Sequence, residues 1–232
     1  MVLSTAAVLF DVDFTLIHPG PRFQGVGYAS SCAAYGIRVD TTRFDAAVAG
    51  ASGLLDSPDQ LYDDGLFVRY TSRIIELMGG AGPDVEVVAR AIYQDWAEHR
   101  HFELYDDVPD ALRTLKARGF RLGLISNSHR PLDSFGAHFE LDGLISATIS
   151  SSDHGFLKPH PSIFRAALEL MEVGPDEAVM VGDSFAHDIV GARQAGIRGI
   201  LLARREPSVP PPADVPVIRS LGELPDLLAA GE

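Results

Sequence analysis

Four short apolar runs, each ending where polar or acidic residues begin, most constrain how this chain of 232 residues can fold. The first run covers residues 6–10 and stops at Asp11, and the others cover residues 121–125, 178–181 and 199–202. A short continuous apolar run is typical of a strand that is buried on both faces of a parallel sheet. Segments with helical spacing separate the runs, and this alternation predicts an α/β fold with a doubly wound parallel sheet.

The alternation of strands and helices is interrupted between about residues 17 and 100. This part of the chain lacks strand-like runs and offers amphipathic stretches with helical spacing instead. We therefore predict an α/β core of residues 1–16 and 101–232, with a helical domain of residues 17–100 inserted into it. Helices of the core are predicted over residues 108–118, 162–171 and 188–195.

Composition and charge exclude several classes of partner. A net charge of −13 repels phosphate backbones and anionic lipids, so we expect neither nucleic acid nor membrane as a partner. Cys32 is the only cysteine, which rules out an intrachain disulfide and favours a cytoplasmic location. The first ten residues lack the basic region and the cleavage site of a signal peptide. An acidic protein that binds an anionic substrate needs a local positive charge or a metal ion.

Two acidic residues, Asp11 and Asp13, follow the first predicted strand. In an extended segment, residues two apart point to the same side, so both carboxylates face one site. Carboxylates this close together raise each other's pKa or require a cation. The alternative is a solvated turn in which Thr15 bonds to the local backbone.

Further acidic residues follow the third run, where Gly182 permits a tight turn before Asp183. Asp188 lies five residues beyond Asp183. One interpretation is a helix cap, since Asp is a common capping residue. The other is a metal site, because three or four carboxylates at neighbouring strand ends are best explained by a hard divalent cation.

Three more polar residues stand at places suited to anion binding. Ser126 and Asn127 end the second run, where a hydroxyl and backbone N–H groups can bind phosphate oxygens. Lys158 precedes a predicted helix, and its ammonium can neutralise both a phosphate and a carboxylate. Taken singly, each of these residues also fits an ordinary solvated loop.

The order of these motifs resembles that of the haloacid dehalogenase superfamily. The segment Asp11-Val12-Asp13-Phe14-Thr15 is similar to the first motif of that family, and the later pieces follow in order over nearly the whole chain. The resemblance is to the phosphatase branch, which has a Rossmann-like core and a helical cap inserted after the first motif. The second motif is matched by Ser126, the third by Lys158, and the fourth by Gly182-Asp183-Ser184 with Asp188.

This resemblance implies a catalytic role for four residues. Asp11 would be the nucleophile that becomes an aspartyl-phosphate, and Asp13 the general acid and then the general base. Ser126 and Lys158 would hold the transferring phosphoryl group. Asn127 would help to bind that group through its backbone and its side chain.

The same resemblance implies a magnesium site. Asp11, the backbone carbonyl of Asp13, and Asp183 would hold Mg²⁺. Asp188 would support the metal, either directly or through water and Lys158. The metal and Lys158 together would supply the positive charge that the acidic surface lacks.

The predicted function is hydrolysis of a small phosphorylated metabolite. Phe14 departs from the family pattern, in which many members carry glycine, and its ring is interpreted either as core packing or as part of the site entrance. Three alternatives stay open: a phosphotransferase or phosphomutase on the same scaffold, a haloacid dehalogenase, and a non-catalytic binding protein. A dehalogenase would need neither Asp13 nor a metal, so Asp13 and Asp183 favour the phosphatase.

Overall fold

The computed structural model describes residues 5–55, 61–205 and 210–230. The chain divides into two compact units, Met1–His18 with Leu104–Glu232 and, inserted between them in sequence, Pro19–Glu103. These limits lie within three residues of the boundaries expected from the sequence. The assignment of the inserted unit as the helical cap of the family stays a prediction.

A parallel sheet forms the centre of the first unit. In chain order, the strands are β1 (Ala7–Phe10), β2 (Ile17–Pro19), β3 (Phe102–Leu104), β4 (Arg121–Ser126), β5 (Ile145–Ser150), β6 (Ala178–Gly182), β7 (Arg198–Leu202) and β8 (Val217–Ile218). Six of them form one sheet in the order β5-β4-β1-β6-β7-β8, and all neighbours are parallel. β2 and β3 form a separate two-stranded sheet. The first sequence boundary between the units falls within β2 and the second within β3.

Helices connect these strands and fill the inserted unit. In chain order, they are α1 (Gly25–Ala33), α2 (Phe44–Ala51), α3 (Asp64–Leu77), α4 (Val85–Asp95), α5 (Val108–Ala117), α6 (Phe135–His138), α7 (Ser151–His154), α8 (Pro161–Met171), α9 (Gly191–Gln194) and α10 (Leu224–Ala230). Short 3-10 turns occur at Pro21–Phe23, Thr41–Arg43, Ser52–Leu55, His99–His101, Leu132–Ser134, Pro175–Glu177 and Leu221–Glu223. A π-helical turn covers Phe185–Val190.

The burial of the central strands explains their sequence. Every residue of β1 and β6 is buried, as is all of β4 except Arg121. Strands covered on both faces have no polar face, so their side chains read as continuous apolar runs. The prediction of a doubly wound α/β fold with an inserted helical domain is thereby confirmed.

Some elements differ from the sequence prediction. β5 was not predicted, because it is an edge strand whose sequence ISATIS mixes polar and apolar residues and is only partly buried. The helix predicted to begin at Asp188 begins instead as the π-helical turn Phe185–Val190. α2 was also not predicted, since its alanine-rich sequence buries only Ala47 and Ala51.

The inserted unit is held together by an apolar seam between α3 and α4. Leu66, Ile74 and Ile75 of α3 are buried, and so are Val88 and Ile92 of α4. Each set recurs at helical spacing, so that one stripe of each amphipathic helix faces the interior.

Over residues 5–55, 61–205 and 210–230, no helix combines the length and apolarity that crossing a bilayer requires.

A polar centre around Asp107 ties distant segments of the first unit together. Its carboxylate accepts hydrogen bonds from the Arg204 guanidinium (2.9 and 3.1 Å), the Ser220 hydroxyl (2.8 Å) and the Leu221 backbone N–H (2.8 Å). Arg204 also donates to the backbone carbonyl of Thr15 (2.8 Å). Burial acts to raise the pKa of Asp107, but these hydrogen bonds outweigh burial and lower it. The turn after β1 is thus fastened to the C-terminal segment.

We predict that Asp107→Asn lowers the free energy of unfolding by about 2–3 kcal/mol at neutral pH, because it removes charge-assisted hydrogen bonds and leaves Arg204 without a counter-charge. A carboxyl whose pKa is lowered in the folded state stabilises above its unfolded pKa of about 3.9. That stabilisation is lost as pH falls through the folded value, so the difference from wild type should shrink below about pH 4. Urea denaturation over a pH series measures both effects.

The matched control for this prediction is Asp214→Asn. Asp214 forms an exposed ion pair with Arg193 (2.8 Å), and exposed pairs contribute little to stability. If the Asp107 variant loses no more stability than the Asp214 variant at neutral pH, the centre around Asp107 does not fasten the fold.

Candidate active site

The predicted site residues gather at the carboxyl ends of β1, β4 and β6. β1 lies between β4 and β6, and the chain order of the sheet reverses around it. In doubly wound folds, ligands bind in the crevice at such a reversal. Asp11, Ser126 and Asp183 each stand at the end of one of these three strands or directly after it.

A buried ammonium joins two of the predicted acidic residues. Lys158 Nζ donates hydrogen bonds to Asp11 Oδ1 (2.5 Å), Asp188 Oδ1 (2.7 Å) and the carbonyl oxygen of Ile125 (3.1 Å). These three bonds satisfy all three N–H donors of the ammonium. Burial acts to lower the pKa of Lys158, but Asp11 and Asp188 outweigh burial and raise it above its usual range. Lys158 therefore stays charged.

Three carboxylates form a cluster beside this ammonium. Oxygen atoms of Asp11, Asp183 and Asp188 lie within 4.8 Å of one another. Desolvation raises the pKa of Asp11 to about 7, Lys158 opposes the rise and Asp188 adds to it. Desolvation and repulsion from Asp11 and Asp188 also raise the pKa of Asp183, although Asp183 as a residue is exposed. By themselves, the three negative charges repel one another.

The local sequence explains how Asp188 reaches the cluster. The Ser184 N–H donates to Asp188 Oδ2 (3.0 Å), which folds the wide π-helical turn back toward the end of β6. A Cβ atom on Gly182 would lie 2.2 Å from Asp188 Oδ2, so only glycine leaves room for this carboxylate. The Asp183 N–H donates to the Thr15 hydroxyl (3.1 Å), and Thr15 therefore links two strand ends instead of forming a local turn.

Asp13 lies in a second polar cluster, which the sequence pattern does not reveal. The fully buried Arg130 donates from one guanidinium nitrogen to Asp13 Oδ1 (3.0 Å) and from another to Asp13 Oδ2 (3.3 Å). The Ser126 hydroxyl lies 3.4 Å from Asp13 Oδ2 and 2.9 Å from the Ser128 hydroxyl. Among the described residues, the acidic cluster contains Asp11, Asp183 and Asp188 and leaves out the side chain of Asp13. The part of Asp13 in metal binding stays a prediction, which concerns its backbone carbonyl.

Arg130 could not be recognised from sequence pattern, because arginine is almost always exposed and a lone one near a strand end is ordinary. Its only signal is position, since it lies four residues beyond Ser126 in a polar run that follows a buried strand. The bidentate pairing fixes the orientation of the Asp13 carboxylate.

Asn127 has a positioning role that sequence analysis did not foresee. Its side-chain amide donates to the carbonyl of Lys158 (2.9 Å), and its side-chain oxygen accepts from the Lys158 N–H (2.7 Å). The two bonds hold the backbone of Lys158 beside the end of β4. Phosphate binding by Ser126, by Lys158 and by the backbone and side chain of Asn127 stays a prediction.

The donor set of the acidic cluster fits a divalent cation. Carboxylate oxygens are the ligands that Mg²⁺ and Ca²⁺ prefer. Asp11 Oδ2 is buried and accepts no hydrogen bond from the described residues, and a buried carboxylate oxygen without a partner is costly. When all four predicted acidic residues are ionised, their charge exceeds that of Lys158 and Arg130 by two. A divalent cation would balance that excess.

Phe14 occupies a backbone position that suits glycine. Its φ is +65°, in the left-handed region, and its side chain is 45% exposed. A bulky residue in this region costs on the order of 1–3 kcal/mol, which the surrounding structure must supply. The turn is held by bonds from the Phe14 N–H to the Ile17 carbonyl (2.7 Å) and from the Leu16 N–H to the Val12 carbonyl (2.9 Å). Of the two interpretations made from the sequence, this exposure favours the site entrance over core packing.

Comparisons with known proteins identify the family of this chain. The family model for haloacid dehalogenase-like hydrolases matches residues 5–196. Haloacid dehalogenase-like hydrolase domain-containing protein 3 from Bos taurus is 29% identical over 242 aligned residues, which cover 98% of this chain and 94% of that protein. Pyrophosphatase PpaX from Bacillus cereus (strain G9842) is 34% identical over 110 residues, 46% of this chain and 50% of that protein.

Among solved structures, magnesium-bound YfnB from Bacillus subtilis superposes with a TM-score of 0.77 at 20% identity, covering 97% of this chain and 99% of that one. This likeness shows a shared fold. Since the family model spans most of the sequence and a relative aligns over nearly its whole length, the chain belongs to the haloacid dehalogenase-like hydrolase family and is a hydrolase.

Proposed function

We propose that this protein is a magnesium-dependent phosphatase that hydrolyses a small phosphorylated metabolite through an aspartyl-phosphate on Asp11. The observation that carries the proposal is the cluster in which Lys158 holds Asp11 among the carboxylates of Asp183 and Asp188. Phosphoryl transfer needs a positioned nucleophile and concentrated positive charge, and this cluster supplies the first and a binding place for the second. The similarity to pyrophosphatase PpaX supports chemistry on phosphate. The fold shared with magnesium-bound YfnB supports the use of magnesium.

In the first step, a carboxylate oxygen of Asp11 attacks phosphorus. An O–P bond forms to Asp11, and the bond from phosphorus to the leaving oxygen breaks. Asp13 gives its proton to that leaving oxygen. Lys158, which already contacts Asp11 Oδ1, holds the nucleophile in place and offsets charge on the phosphoryl oxygens.

In the second step, water attacks the phosphorus of the aspartyl-phosphate. Asp13 takes a proton from this water, inorganic phosphate leaves, and the Asp11 carboxylate is restored. Arg130 binds the carboxylate form of Asp13, which is the form that accepts this proton. Arg130 therefore acts as a positioning residue for the base.

Magnesium would be held by Asp11, Asp183 and the backbone carbonyl of Asp13, with Asp188 in support. When bound, it supplies positive charge that offsets repulsion between these carboxylates and the phosphoryl oxygens. Asp188 already has both oxygens engaged, one with Lys158 and one with the Ser184 N–H. Asp188 therefore orients the cluster even where it does not touch the ion.

Two features favour a phosphatase over a dehalogenase on the same fold. Attack on carbon with loss of halide needs the nucleophile but no proton donor for the leaving group. Asp13, fixed by Arg130, and Asp183, placed within reach of Asp11, would then have no chemical task. Phosphate hydrolysis uses both.

Removal of divalent metal tests the proposal directly. We expect phosphate release from a panel of phosphorylated metabolites to stop after exhaustive chelation and to return with Mg²⁺, because the clustered carboxylates repel a phosphate dianion. Ca²⁺ should bind but support little turnover, since its looser coordination misplaces the nucleophile. As a readout besides activity, Mg²⁺ should raise the thermal unfolding midpoint of the wild type. Full activity in the chelated protein would contradict the proposal.

Changing Asp11 or Asp13 to Asn should impair different steps of the reaction. Asp11→Asn lacks the anionic nucleophile, so no phosphoenzyme should form and turnover should fall to background. Asp13→Asn keeps the nucleophile but loses the proton carrier, which costs about 10²–10⁴-fold in each assisted step. With an activated ester such as p-nitrophenyl phosphate, the first step needs less protonation than the second, and phosphate should accumulate on Asp11.

Intact-mass spectrometry after rapid mixing measures this accumulation. Asp214→Asn, on the exposed ion pair with Arg193, is the control for a neutral Asp-to-Asn change. Phosphorylation of the Asp11→Asn protein at the wild-type level would show that the nucleophile is another residue.

A further inference from the structure

Phe14 combines two features that local stability does not explain. Its backbone is in the left-handed region, and its aromatic ring is nearly half exposed. Glycine would adopt the same backbone without strain, and a polar side chain would meet solvent without exposing apolar surface. Strained positions of this kind cluster at functional sites, where the surrounding structure holds them.

The other described non-glycine residues with positive φ show that Phe14 is unusual. They are Glu140 (φ 58°) and Glu172 (φ 54°), both charged side chains. Glu172 is the C-cap of α8, a place where the left-handed conformation commonly ends a helix. Phe14 follows β1 and ends no helix. Helix termination therefore accounts for Glu172 but not for the aromatic residue.

The position of Phe14 relative to the reacting groups suggests what the ring contacts. Its Cα lies about 3.8 Å from that of Asp13. In the proposed function, Asp13 protonates the leaving oxygen, so the leaving group lies beside this residue. The groups that would hold the phosphoryl part are charged or polar, whereas Phe14 offers an exposed apolar face. An aromatic face stacks well on another flat π system.

We propose that Phe14 is a specificity-determining residue whose ring stacks on the leaving group, and that the enzyme selects phosphoryl substrates carried on an aromatic or heteroaromatic ring. This inference rests on the proposed phosphatase function and deepens it by naming a substrate class. Backbone hydrogen bonds close the strained turn of residues 12–17 and fix the backbone from which the ring extends. A ring on a fixed backbone has only its two side-chain torsions to order when it stacks.

The test compares kcat/KM for 1-naphthyl phosphate with that for cyclohexyl phosphate in wild type and in Phe14→Gly, each with saturating Mg²⁺. The ratio between variant and wild type cancels the difference in intrinsic reactivity of the two esters. We expect Phe14→Gly to lower kcat/KM for the naphthyl ester about 5- to 100-fold, the range that loss of one stacking partner gives, mainly through KM. The cyclohexyl ester should change less than about 3-fold.

Three further variants separate the effect of the ring from the effect of the backbone strain. Phe14→Tyr keeps an aromatic face and should stay close to wild type with the naphthyl ester, whereas Phe14→Leu keeps the strain but loses the ring and should behave like the glycine variant. Glu172→Gly relieves strain at the C-cap of α8, outside the acidic cluster, and should raise the thermal midpoint without changing either activity. Phe14→Gly should raise the midpoint as well.

The outcomes distinguish the two proposals. An active wild type in which Phe14→Gly affects both esters equally, or in which Phe14→Leu retains the preference for the naphthyl ester, overturns the stacking role alone. A lowered thermal midpoint for Phe14→Gly would identify the ring as structural packing and would also overturn it. Absence of turnover by the wild type with both esters and with a wider phosphate panel would overturn the phosphatase proposal, and the role of Phe14 with it.

Discussion

The buried ammonium of Lys158, bonded to Asp11 and Asp188, is the interaction on which the rest of the site depends. Placing a charge in the interior is costly, and breaking a buried pair by removing one partner typically costs about 3–5 kcal/mol. Here the cost is offset because all three N–H groups of the ammonium find oxygen partners. The arrangement also restricts which residues can stand at neighbouring positions. Gly182 must lack a side chain so that Asp188 can approach, and Asn127 must hold the backbone from which Lys158 extends.

The two carboxylates of the first motif have different partners and, in the proposed mechanism, different roles. Asp11 and Asp13 are two residues apart, yet one is paired with a lysine among other carboxylates and the other with the buried Arg130. The two side chains therefore have different environments although their chemistry is the same. In the proposed mechanism one of them forms a covalent bond and the other moves protons, and such a separation of roles requires different partners for each.

The departures from ordinary sequence preference concentrate near the end of β1. Repelling carboxylates in the acidic cluster, a fully buried arginine and a strained, exposed phenylalanine would each lower stability in an average protein. The surrounding structure supports them through a rigid, fully buried central strand and through polar ties such as the one between Arg204 and the Thr15 carbonyl. The buried strand and this hydrogen bond thus support the strained positions of the predicted site.

The sequence by itself determined the α/β class, the buried central strands and the acidic residues at their ends. Local sequence patterns are enough to indicate which strands are buried and where polar residues end them. The sequence did not predict β5, an edge strand without a continuous apolar run. Only the tertiary structure decided that Asp13 pairs with Arg130, that the Asn127 side chain binds the Lys158 backbone and that Asp188 turns back through a π-helical turn. These contacts join residues from different elements or depend on the exact course of a turn. Periodicity describes which face of an element is buried, but the partner of a polar side chain is set by how the elements pack.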